Sequence, residues 1–115
     1  DNTIITNVEA SDSSLGWVGF AFAEAAGDSV KELGIAAEPN GTCVEPSPET
    51  ISAGEYPLSR PLFIYVNTAT AAESDALTGF VDFYLDGLVG FVEEEGYVPL
   101  PADQLDATMT AWEGR

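Results

Sequence analysis

Hydrophobic positions change period several times along the chain, and each change predicts an element. Leu77, Phe80, Val81, Tyr84, Leu85 and Leu88 recur at the three-and-four spacing of a helix face. They give the best helical stripe in the sequence, weakened at its end by Gly87 and Gly90. Leu62-Phe63-Ile64-Tyr65-Val66 is instead an uninterrupted apolar run flanked by breakers, which predicts a strand. A run of that kind suits a strand covered on both faces, in the middle of an α/β sheet. Between these two elements, Thr68 to Ser74 reads as a polar link.

The remaining segments alternate in type. Ile4, Ile5 and Val8 stand at helical spacing and read as the end of a helix. Leu15 to Phe20 is apolar with two glycines and predicts a short buried strand. Phe20 to Ala26 holds strong helix formers and stops at Gly27. Val30 to Ala36 alternates loosely and predicts a second strand, after which Asn40-Gly41 marks a turn. Asn40-Gly41-Thr42 also fits a glycosylation acceptor, but a turn explains it without a sugar. Ser47-Pro48-Glu49-Thr50 opens a short helix with an N-cap, a proline in the first turn and an acid at the positive end of the dipole. Gly54 closes that helix, and residues 55 to 61, with Pro57 and Pro61, should be extended. Gly96 to Pro101 is a turn into an extended segment, and Pro101 starts a last helix with Leu105, Met109 and Trp112 on one face. Helices and strands in this order make an α/β pattern. Three short strands with free edges are marginal alone, which points to a fragment or to pairing with another copy.

Composition sharpens this picture. The 115 residues bound the chain to one domain at most, or to a piece of a larger one. A hydrophobic share of 45% is that of a folding chain, not of a disordered tail. Twenty Asp and Glu against three Lys and Arg leave a formal net charge of -17, with no histidine. Without histidine there is no Ser-His-Asp, Cys-His or His-metal chemistry. With Lys31, Arg60 and Arg115 as the cations, nucleic-acid backbones are not expected partners. The acidity reads as plain solubility, as adaptation to salty surroundings, or as repulsion of wrong partners. No apolar run is long enough for a membrane span. The chain opens polar at Asp1-Asn2-Thr3, and Met109 is its one methionine, so it reads as processed or excised, without a signal peptide.

Candidate chemistry is sparse. Asp82 and Asp86 lie four apart on the predicted helix and read as an acid pair or as a solvated face. Glu93 to Glu95 lack the spacing of a calcium loop. Cys43 has no internal disulfide partner; it is a small buried or loop side chain, or one whose partner lies in another segment. Lys31 has no Ser-x-x-Lys context, and the glycines make no phosphate-cradling loop. The aromatic side chains are spread along the chain rather than striped. Arg60, between Ser59 and Pro61, is either an anion clamp or a pin paired with one of many acids. A carboxylate hydrolase, an acidic module that self-associates or binds a protein partner, and a binding protein are the function classes left.

One combination of motifs is more specific. Pro46 to Ile51, then Gly54-Glu55-Tyr56-Pro57-Leu58-Ser59-Arg60-Pro61 running into the apolar strand, resembles the C-terminal part of the phosphate-binding proteins of ABC transporters. Leu15 to Phe22, Phe80 to Leu85 and Gly96 to Pro101 agree with that family in order and spacing, so the resemblance spans about residues 4 to 113. It implies part of a type II periplasmic-binding-protein fold, two α/β lobes closing on a ligand about a hinge. Residues 1–54 would end the second lobe, 55–62 would cross back, and 63–115 would be the C-terminal part of the first lobe.

The same resemblance implies an extracytoplasmic phosphate receptor, not an enzyme, that delivers to an ABC permease and needs no cofactor or metal. Its partners would be phosphate, the permease, and the rest of the receptor chain or a second copy. In the family, hydroxyls, helix N-terminal N–H groups, an Asp and an Arg hold phosphate, mostly from motifs upstream of this region. The family's Ser-Gly-Thr type motif is not found here, so no phosphate ligand is expected in this segment, and Arg60 is the one weak candidate. The charge of -17 would slow an incoming phosphate, although screening over about 8 Å at physiological salt removes most of that field.

Overall fold

Backbone groups that find partners within one turn decide what is ordered in this chain, which a computed structural model describes over residues 1–115. Seven helices form: α1 (Asn2–Glu9), α2 (Phe20–Ala26), α3 (Pro48–Ser52), α4 (Thr68–Glu73), α5 (Asp75–Asp86), α6 (Leu88–Glu94) and α7 (Ala102–Glu113). A 3₁₀ turn, Gly27–Ser29, follows α2. Strand pairing is limited to one antiparallel bridge, Ile35 to Val44, closed by two backbone hydrogen bonds of 2.9 Å. The bridge spans the Asn40-Gly41 turn, where Asn40 takes a φ of 65°.

Local chemistry explains the helix starts. Ser47 and Thr50 cap α3 reciprocally: the Thr50 N–H donates to Ser47 Oγ at 3.1 Å and the Ser47 N–H to Thr50 Oγ1 at 3.0 Å. Pro48 occupies the first turn, and Gly54 leaves the helix at a φ of 69°. The polar link expected at Thr68 to Ser74 is in fact a helix. Asn67 Oδ1 accepts from the Thr70 N–H at 3.1 Å, and the alanines that follow favour α4. Ser74 then caps α5, accepting from the Leu77 N–H at 3.2 Å. Thr78 Oγ1 donates to the Ala71 carbonyl at 2.9 Å and ties the start of α5 to α4.

The core sits on this C-terminal half. Ala71, Val81 and Leu85 are the three buried residues, the last two on the stripe that predicted α5. Trp112 on α7 donates its indole N–H to Asp82 on α5 at 2.6 Å, which holds the last helix to the stripe's own helix. Gly96 turns at a φ of 74° against Ala21; a Cβ there would stand 2.7 Å from the Ala21 Cβ, so the turn docks on α2 only as glycine.

The other two expected strands differ from their prediction. Leu15 and Trp17 were expected buried but are 81% and 70% exposed, and residues 15–19 are extended without partners. Residues 62–66 are likewise extended and bare on both faces, not covered as a mid-sheet strand would be. A strand satisfies its backbone only through a neighbour, and these residues have none. Residues 55–61 are not extended throughout, since the Ser59 N–H closes a turn onto the Tyr56 carbonyl at 2.9 Å.

The shape follows from that shortage of partners. The radius of gyration is 17.9 Å and the principal extents are 55 × 31 × 22 Å. A compact chain of this length would have a radius near 13 Å. The accessible surface is 8450 Å², where a folded monomer of 12.1 kDa exposes about 6000 Å².

Candidate functional site

The bridge at Ile35–Val44 folds the middle of the chain back on itself and collects acids that sequence spacing keeps apart. Glu32 lies three residues before the bridge, Glu45 just after it, and Glu24 on α2. Tyr56 closes the group, its hydroxyl donating to the Leu33 carbonyl at 3.3 Å. Beside them, Ala23, Glu24, Gly27, Val30, Lys31 and Glu32 line an open hollow of about 380 Å³.

Electrostatics here disfavour further negative charge. Partial burial, then the Glu24 and Glu45 carboxylates, push the Glu32 carboxyl above its usual range. Partial burial, then Glu32 and Glu45, push the Tyr56 phenol upward as well. Glu32 Oε1 is shielded from water and has no hydrogen-bond partner. An incoming oxyanion would meet carboxylates rather than donors. No sequence motif announced this cluster, because its members come together through the bridge and the Tyr56 turn.

A second hollow, of about 420 Å³, lies between the start of α4 and the chain end, among Thr68, Asp75, Thr78, Glu113 and Arg115. Its cation is already engaged. The Arg115 guanidinium lies 3.4 Å over the Trp112 ring and donates to the Trp112 carbonyl at 2.6 Å.

The residues singled out from the sequence are not brought together. Arg60 is exposed at the start of the bare strand, while Lys31 is exposed beside the first hollow. Asp82 is taken by the Trp112 indole, so the Asp82–Asp86 spacing serves helix packing on one of its two members. Cys43 is a free, exposed thiol. Glu93 to Glu95 are exposed at the end of α6, and no group of three or more Cys, Asp or Glu is placed to hold a metal ion. Three helix N-termini, those of α3, α4 and α5, are closed by their own Ser47, Asn67 and Ser74 side chains. Those caps occupy N–H groups that could otherwise face an anion.

A family profile described as the PBP superfamily domain matches residues 3–87, about three quarters of the chain. The chain belongs to the PBP superfamily. Among the relatives of this PBP-superfamily chain, Protein SphX of Synechocystis is 43% identical over 105 residues, covering 90% of the chain and 30% of that protein. The phosphate-binding protein PstS of Staphylococcus haemolyticus is 36% identical over 100 residues, covering 87% of the chain and 31% of that protein. PstS of Staphylococcus aureus is 37% identical over the same length, again covering 87% of the chain and 30% of that protein. The PBP-superfamily chain thus spans less than a third of the length of the curated relatives it matches. No solved structure matches it. No helix is long and apolar enough to cross a membrane.

Proposed function

We propose that these residues are the C-terminal portion of an extracytoplasmic phosphate receptor that feeds an ABC uptake transporter, contributing scaffold rather than ligand contacts. The observation that carries this reading is the 36–37% identity to phosphate-binding PstS proteins over 87% of the chain. In this reading residues 1–54 end the second lobe, 55–62 cross between lobes, and 63–115 return to the first. The protein binds its solute and transforms nothing. The geometry agrees with a scaffold role in two respects. The first hollow is lined by carboxylates that repel an oxyanion, and the caps on α3, α4 and α5 are internal. Arg60 is exposed, at the crossover, and would need donors from elsewhere to hold phosphate.

Calorimetric titration of phosphate, with sulfate as control, tests the reading. The 115-residue chain should show no saturable binding, and the full-length gene product that carries it should bind phosphate in preference to sulfate. Saturable, phosphate-selective binding by the 115 residues alone would refute the scaffold role. Its absence from the full-length product would refute the receptor.

A further inference from the structure

The extended run Leu62–Val66 lacks everything that normally surrounds a strand. Leu62, Phe63, Ile64 and Tyr65 are 64%, 69%, 49% and 91% exposed. Phe63 and Tyr65 share one face, with ring centroids 6.4 Å apart, and Leu62, Ile64 and Val66 alternate onto the other. The backbone N–H and C=O groups of residues 62–66 make no backbone hydrogen bond. Two apolar faces and two open edges are therefore unpaired at once.

The charge distribution singles out the same surface. Acids recur throughout the chain, yet none lies between Glu55 and Glu73, the longest acid-free interval, and the next longest runs from Asp12 to Glu24. Those two intervals contain the two bare segments, residues 62–66 and 15–19. Strands evolved to lie at an open edge carry charges, bulges or short lengths that discourage pairing. Leu62 to Val66 carries no charge, so its composition suits an inner strand.

We infer that residues 62–66 are an inner strand, paired on both edges and covered on both faces by the portion of the receptor chain that lies outside these 115 residues. The inference rests on the receptor reading above. A second copy is the weaker occupant on two counts. A two-fold pair of these strands closes one edge of each and leaves the other open. It also brings together two chains of net charge -17. The remainder of the receptor is large enough, because the matched relatives extend over more than three times this length. The excess surface, about 2400 Å² over a compact monomer, falls in the range of obligate interfaces.

Hydrogen exchange read by mass spectrometry tests this, on the 115-residue chain and on the full-length gene product that contains it. Amides 62–66 should exchange within seconds in the 115 residues and be slowed roughly 100-fold or more in the full-length product. Equal, fast exchange in both overturns the inference, as does a gene product that ends at these 115 residues. Protection that appears in the short chain only as its concentration rises also overturns it, by assigning the surface to a second copy. Phosphate titration of the same full-length product separates this from the receptor reading. Protection without phosphate binding keeps the inner strand and removes the receptor; phosphate binding without protection does the reverse. Ile64→Asp in the full-length product should return amides 62–66 to fast exchange, while Tyr65→Phe should leave them slow.

Discussion

Helices α4 to α7 and the extended segments 15–19 and 62–66 draw on similar hydrophobic content and end in opposite states. Val81 and Leu85 are buried, and Ala71 with them, whereas Trp17, Phe63 and Tyr65 stand in solvent. The difference lies in where each backbone finds its partners. An α-helix closes its hydrogen bonds within itself, so α5 needs a neighbour only for its apolar stripe, and α4 and α7 supply one. A strand has no internal bonds, and a chain that lacks its neighbours leaves both backbone and side chains bare. The same 115 residues therefore hold a small self-sufficient unit and two segments that require another surface.

Removing core side chains should separate the two regions most. Leu85→Ala should lower the stability of the helical unit by about 3 kcal/mol, seen as an earlier loss of helical circular dichroism on heating. Ile64→Ala in the 115-residue chain should stay within about 0.5 kcal/mol of the parent. Equal losses from the two substitutions would mean that 62–66 is packed after all, and the contrast would collapse.

The tryptophans provide a smaller and local version of that test. Trp112→Phe removes the indole donor to Asp82 and weakens the platform under Arg115, and should cost about 1 kcal/mol. Trp17→Phe should cost nothing measurable, since Trp17 is exposed. Emission from a Trp17→Phe variant should shift to the red on unfolding, and emission from Trp112→Phe should not. A red shift from Trp17 would place residues 15–19 in a packed environment.

At the edge of the helical region, Ser47→Ala breaks both halves of the α3 capping box. The expected cost is about 0.5–1 kcal/mol, read most directly as faster amide exchange at Thr50 with α5 unaffected. Uniform loss across the chain would show that α3 is coupled to the core more tightly than its few contacts suggest.

The smallest effect concerns pH. The folded chain raises the Glu32 carboxyl above its usual value of 4.5 by burial and by Glu24 and Glu45. The folded state then holds a proton longer than the unfolded state does, so Glu32 costs stability as pH rises from about 4.5 through the folded value, and the cost is complete above it. Glu32→Gln should unfold later than the parent at pH 7 and coincide with it near pH 4. A gap that persists unchanged at pH 4 would exclude Glu32 ionisation as its source. Glu32 is mostly solvent-screened, so the gap at pH 7 should be the least of those described.

Local chemistry was readable in the sequence wherever the partner lies within a few residues. The α3 cap, the stop at Gly27, the Asn40-Gly41 turn and the α5 stripe are each set by neighbours within about three turns. One local element was misread. Thr68 to Ser74 looked like a link because its side chains are small and polar, but the Asn67 cap and the alanines form a helix there. The family was readable too, from motifs spread over the chain, and the profile match over residues 3–87 bears that out.

Nothing in the sequence announced the acidic cluster of Glu24, Glu32 and Glu45 around Tyr56, because the bridge and a turn assemble it from distant positions. The Asp82–Trp112 contact joins residues thirty apart and was equally invisible to spacing arguments. Hydrophobic pattern alone determined that residues 62–66 would be extended and apolar on both sides. Whether those faces are covered was decided by tertiary structure, since burial of a strand depends on which other strands are present to accept its hydrogen bonds.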